Sequence, residues 1–192
     1  MTFRPTILFL LTLLFLVISC DRTYTPKPSG YARIETPEKS YTLYTGQEFF
    51  QFEIPGYAHV ETDSSRGVDS GWINVVIPQL NGKIHLSYKP VTDNLGDYIT
   101  DCRTLVYKHT VKAQGIEESP FIHRNQRQFG MVYDLKGDVA SAVQFFVTDS
   151  TRHFLRGSLY FNCSPNRDSL NPVIEFIRED IIHMIETIEW KY

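Results

Sequence analysis

WINVVIPQLNGKIHLSYKPVTDNLGDYITDCRTLVYKH, residues 72–109, carries two different hydrophobic periods in one stretch. Its first half is β-rich from Trp72 to Ile77, and after Asn81-Gly82 the apolar Ile84, Leu86 and Tyr88 alternate with His85 and Ser87. A strand with one buried face needs that alternation, and Asn-Gly offers the positive φ of a type I′ turn, so the pattern predicts a hairpin. Pro78 marks a bulge or an edge, because proline cannot donate to a ladder. Beyond Pro90 the period becomes 3.6. Leu95, Ile99, Cys102, Leu105 or Val106, and His109 recur at helical spacing behind the candidate caps Thr92 and Asp93, up to about Gln114-Gly115. One face of this helix should lie on a sheet, while Asp97, Asp101, Arg103 and Lys108 form a solvated face.

Toward the C-terminus the spacing predicts three more strands in a meander: Phe129 to Leu135, Ala140 to Thr148, and Phe154 to Phe161. Turn signals at Lys136-Gly137-Asp138 and Asp149-Ser150 leave no room for crossover helices, so the neighbours should be antiparallel. A second helix follows, with Asn171-Pro172 as cap and first turn and a seam of Ile174, Ile177, Ile181, Ile185 and Ile188. Trp190 and Tyr192 form a packed end. Toward the N-terminus, Glu48 to Glu61 reads as strand broken by Pro55-Gly56, and Asp63 to Gly71 as a loop. The class is α+β: an antiparallel sheet covered by two long helices.

Arg4 to Cys20 has the parts of a secretory leader: a basic residue, an apolar run of 12 residues from Ile7 to Ile18, and small Ser19. The run is well short of the ~20 residues that a helix needs to cross a bilayer. Val17-Ile18-Ser19-Cys20 fits the box at which the cysteine sulfur receives diacylglycerol before cleavage. The expected organisation is a removed lipoprotein signal over 1–19, a lipid anchor and extended tether over 20–40, and one α+β domain over 41–192. Pro26, Pro28 and Pro37 keep the tether extended. Its aromatic and basic residues Tyr24, Lys27, Tyr31 and Arg33 have no core of their own and make a candidate partner-binding peptide.

With 42% hydrophobic and 14% aromatic residues the chain can bury a core without staples. A net charge of −3 with scattered basic residues speaks against nucleic acid as a partner. Export permits a bridge between Cys102 and Cys163, closing a loop of about 60 residues worth about 4 kcal/mol. A free, buried cysteine is the commoner state.

No H-E-x-x-H, paired C-x-x-C, G-x-S-x-G, Walker loop or G-x-G-x-x-G occurs, so no metal site, cofactor or catalytic residue is assigned. His109, at the end of the helical stripe, reads as a packed or boundary histidine. The acid pairs Asp134 with Asp138 and Asp63 with Asp69 fall in turns, where aspartate serves the backbone. The aromatic stretch Tyr41 to Phe52 reads first as core.

Three strings carry a resemblance: YTPKPSGYARI (24–34), HLSYKPVTDNLGDYITDCRTLVYKHTVKA (85–113) and GSLYFNCSPNRDSLNPVIEFIREDIIHMIETIEW (157–190). Through them nearly the whole mature chain resembles the gliding-motility lipoprotein D family (GldD) of the Bacteroidetes. The resemblance implies a lipid-anchored, periplasm-facing envelope component that is required for gliding and the associated type IX secretion apparatus. Its partners would be the membrane, through the lipid, and other envelope proteins of that machinery. It implies no enzyme activity, and it places the lipidated cysteine at Cys20; a bridge between Cys102 and Cys163 is not part of the family pattern. The element order is similar to the Mog1/PsbP-like sandwich, a fold of mostly non-enzymatic accessory proteins. Two rival expectations stand beside this one. A cell-envelope hydrolase would gather Asp, Glu or His side chains in a deep pocket, and a small-ligand carrier would hold an apolar cavity between sheet and helix.

Overall fold

The computed structural model describes residues 34–63 and 71–192. The leader, Cys20, the tether residues Tyr24, Lys27, Tyr31 and Arg33, and most of the loop before Gly71 lie outside the described residues.

Ten strands and two α-helices follow one another among the described residues. They are β1 (Tyr41–Tyr44), β2 (Phe50–Pro55), β3 (His59–Thr62), β4 (Ile73–Ile77), β5 (Gly82–Pro90), α1 (Leu95–Tyr107), β6 (Ala113–His123), β7 (Gln128–Gly137), β8 (Val143–Thr148), β9 (His153–Phe161), α2 (Arg167–Glu186) and β10 (Glu189–Trp190). Seven strands form one sheet in the order β3-β4-β5-β9-β8-β7-β6, and β1-β2-β10 form a second. Every pairing is antiparallel.

The large sheet is covered on both faces, which is why all six residues of β8 are buried. One face presents Ile84, Leu86, Phe145, Leu155 and Leu159, all buried, beneath the apolar seam of α2 and the aromatic residues of β2. Gly82 lets that helix approach, since a Cβ there would stand 3.1 Å from Ile177 Cδ1. The other face is covered in part by α1, whose buried side is Cys102 and Val106.

The predicted meander and the isoleucine seam are present, and four expectations change. Asn81 alone takes a left-handed conformation, at the end of a 3-10 turn over Pro78–Leu80, while Gly82 already pairs with Ile77 as the first residue of β5. The first helix stops at Tyr107, short of Gln114-Gly115, so only α2, with 20 residues, is long, and α1, with 13, is ordinary. Thr92 and Asp93 are not the cap, because Asn94 holds that position. Gln114 and Gly115 instead lie at an irregularity in β6, a strand that composition hides: it carries Gly115, Glu117, Glu118 and Pro120 because it is an edge. The second helix starts at Arg167, capped by Asn166, whose side chain accepts from the Ser169 N–H, so Pro172 lies within it.

Both cysteines are free, Cys102 buried and Cys163 exposed, so the bridge between them is not made.

Two polar clusters pin the ends of the domain. Asp180 of α2, fully buried, accepts from the hydroxyls of Tyr41 (2.9 Å) and Tyr57 and lies 3.1 Å from Lys39 Nζ. Lys39, within the expected tether, is therefore held on the helix. Burial and the Asp180 carboxylate push the Tyr41 hydroxyl up to about 12. At the other end, Trp190 stacks on His153 with 5.1 Å between ring centroids, and His153 Nδ1 lies 2.9 Å from the Tyr88 hydroxyl.

Candidate functional site: a polar groove on the sheet

The register of the large sheet lines up side chains from successive strands. Asn74 of β4 stands opposite His85 of β5, His85 opposite Ser158 of β9, and Ser158 opposite Gln144 of β8. One pleat away, Ser87 stands opposite Arg156 and Arg156 opposite Phe146. Side chains alternate between faces at period 2, so this polar row shares the face on which α1 lies. The opposite face of the same strands is apolar except at one end, where buried His153 meets the Tyr88 hydroxyl.

Where α1 stops covering this face, a groove opens. A hollow of about 290 Å³ lies against the helix, walled by Tyr98, Asp101, Cys102, Leu105, Phe154 and Arg156 among others. Trp72, Ser87 and Arg156 are shared with a second hollow of about 330 Å³ that reaches Asn74, His85, Ser158 and Tyr160. His85 and Tyr160 in turn belong to a third, of about 530 Å³, bounded by Lys83 and Asn162. The groove thus runs along β5 and β9, with Tyr160 set edge-on to His85 at 5.4 Å.

The floor of the groove is polar, and its bonding is incomplete. Asn74, 8% exposed, and Ser158, 2%, line it, while the fully buried Gln144 stands opposite Ser158 and lines none of the hollows. Arg156 Nη2 donates to Gln144 Oε1 at 2.7 Å, which orients the guanidinium. Among the described residues, four buried polar atoms of this face have no hydrogen-bond partner: Trp72 Nε1, Asn74 Oδ1, Gln144 Nε2 and Arg156 Nε. Burying such groups without partners costs about 1–3 kcal/mol each, so a fold rarely collects them in one place without use. Three of the four are donors, and the fourth is an acceptor.

Positive charge dominates along this line. Arg156, Lys83, Lys89 and Lys108 line it against Asp63 and Asp101. Burial lowers the His85 pKa, with Lys83 and Arg156 acting in the same direction and Asp63 opposing them. Burial also pushes the Cys102 thiol up, against the opposite pull of Arg156, so it stays protonated and inert at neutral pH. His109 is half-buried just beyond α1, its pKa lowered by burial and then by Arg156.

Of the acid pairs noted in the sequence, Asp134 is gripped by Arg178 through two hydrogen bonds of 2.7 and 2.8 Å, and Asp138 accepts the Arg167 N–H. Phe50 and Phe52 of the aromatic stretch are core. The sequence reading passed over Asn74, Gln144, Arg156 and Ser158. Their signal was a polar residue on the second face of strands whose neighbours leave both faces buried, which only the register makes visible. No group of three or more His, Cys, Asp or Glu residues able to hold a metal ion occurs among the described residues.

A structural likeness exists to cyanobacterial PsbP (CyanoP) from Synechocystis, with 11% identity and a TM-score of 0.44, covering 86% of this chain and 100% of that one. Among curated proteins none matches. The family model described as gliding motility lipoprotein GldD matches residues 21–190, nearly the whole chain. A match of that extent makes the chain a member of the GldD family of gliding motility lipoproteins.

Proposed function

We propose that the chain is a lipid-anchored, non-catalytic component of the gliding machinery, coupled to type IX secretion, that faces the periplasm and works by holding other polypeptides. The observation that carries this reading is the family match over residues 21–190. In this account Cys20 bears the lipid, and residues 20–40 link it to the domain. A single chain binds membranes only marginally, whereas the several chains of a mature lipoprotein anchor stably.

The chemistry of the groove supports binding over catalysis. Among the described residues Asp101 is the only carboxylate walling the hollow beside α1, and the thiol there is protonated. The cations and Asp101 along its wall also make it a poor container for a small apolar ligand. Replacing Cys20→Ala should move the protein from the membrane to the soluble fraction and abolish colony spreading. Wild-type gliding with a soluble protein would contradict the anchoring role.

A further inference from the structure

The orphaned polar atoms of the groove are a specification for what binds there. Arg156 Nε and Trp72 Nε1 are donors with nothing to donate to, on a guanidinium whose Nη2 is already fixed by Gln144. A carboxylate answers both. It also answers the cations at one end of the groove, Lys108 and Lys89, the latter over the Tyr98 ring, while Lys83 at the other end is shared with Glu61 at 3.5 Å. Charge-assisted bonds from a preoriented guanidinium to a carboxylate are the strong members of their class. Asp101 on α1 and Asp63 beside His85 repel an anion from their own corners and leave the stretch at Ser87 and Arg156, between them, as the favoured seat.

Asn74 Oδ1 separates the candidate ligands. It is an acceptor, 8% exposed and without a partner, so it needs a donor from the ligand. A simple carboxylate has no donor and would leave it orphaned. An acidic residue within a polypeptide brings both groups, a side-chain carboxylate for Arg156 and Trp72 and a backbone N–H for Asn74. The form of the groove agrees: three open hollows in line along β5 suit an extended chain, since the nine residues of that strand span about 30 Å. Leu105, Phe154 and Tyr160 offer apolar walls to the residues on either side of the acid.

We propose that the groove between α1 and the β3–β4 edge docks an acidic, extended segment of a partner polypeptide, with a carboxylate on Arg156 and Trp72 and a backbone amide on Asn74. The inference rests on the proposed reading that this domain holds other polypeptides, and adds where and by what chemistry.

The test uses the full-length lipoprotein in nanodiscs and follows the indole N–H resonance of Trp72, assigned with Trp72→Phe. The probes are N-acetyl-leucyl-aspartyl-leucine amide, its asparaginyl counterpart and hexanoate, each titrated to millimolar concentration. The aspartyl peptide should shift the Trp72 resonance, and the asparaginyl peptide should bind at least tenfold more weakly. Arg156→Met should abolish the shift. Because that change also strips Gln144 of its partner, Lys83→Glu combined with Lys89→Glu, two half-buried positions whose contacts are a 3.5 Å ion pair with Glu61 and the Tyr98 ring, serves as the second variant and should weaken binding tenfold or more. Equal shifts from the aspartyl and asparaginyl peptides would overturn the proposal, as would hexanoate binding better than the peptide, which would mark a small-acid site. A peptide response confined to residues outside the groove would overturn the location and leave the partner-holding reading intact. No response to any probe would overturn the proposal, while the Cys20→Ala spreading assay would still judge the anchoring reading separately.

Discussion

Two buried aspartates show how single side chains hold this domain together. Asp180, with no exposed surface, is satisfied by Lys39 just before β1, Tyr41 at the start of β1 and Tyr57 just after β2. Removing one member of a buried ionic cluster strands the others, so Asp180→Ala should cost about 3 kcal/mol, read as a fall in the urea midpoint. An unchanged midpoint would mean that these contacts contribute nothing net. Asp149 is different. Burial pushes its carboxyl up, yet the backbone N–H groups of Arg152, His153 and Thr151, with the Thr151 hydroxyl, outweigh burial and hold it at about 2 against an ordinary 3.8. A carboxyl depressed in the folded state contributes stability that is full above its unfolded pKa and lost as pH falls through the folded one. Wild type should therefore lose about 2 kcal/mol between about pH 4 and pH 2 from this group. Asp149→Asn should flatten that part of the stability curve. Parallel curves for the two proteins would exclude Asp149 as the source.

The packing of elements turns on places where a side chain is forbidden. Gly157 of β9 faces Phe145 of β8, and an added Cβ would stand 2.2 Å from two carbons of that ring. Gly157→Ala should destabilise by about 1–3 kcal/mol through overpacking. Combining it with Phe145→Leu, which makes room, should recover part of the loss in thermal melts; simple additivity of the two would contradict the contact. These same elements show what the sequence could reveal. The alternation of Ile84, Leu86 and Tyr88 and the spacing of Ile174, Ile177 and Ile181 were legible because each element buries one well-marked face. β6 was not, since an edge strand with Gly115 and Pro120 follows solvent rather than a core. The early start of α2 was hidden by Pro172, a residue that ordinarily sits in a first turn. Of the groove, sequence alone marks Asp63 as a turn acid, Asp101 and Lys108 as a solvated helix face and Cys102 as a possible half of a bridge, but does not bring them together; the row from Asn74 to Gln144 joins four strands whose order in the sheet is not their order in the chain.

At the scale of the whole molecule, the sheet does two jobs with its two faces. One is apolar, filled by the seam of α2 and the aromatics of β2, and makes the domain stable. The other carries a polar row among Phe146, Phe154 and Val76, is only partly roofed by α1, and retains the unpartnered groups that a ligand can satisfy. Such a division fits the proposed role, in which a lipid holds one end of the chain at the membrane and the folded part holds another polypeptide. The most direct test is colony spreading by cells whose only copy of the protein carries Lys83→Glu and Lys89→Glu. The account predicts normal amounts in the membrane fraction, a melting temperature lowered by no more than a few degrees through loss of the Lys83–Glu61 pair and the Lys89–Tyr98 contact, and no spreading. Wild-type spreading by those cells would contradict it.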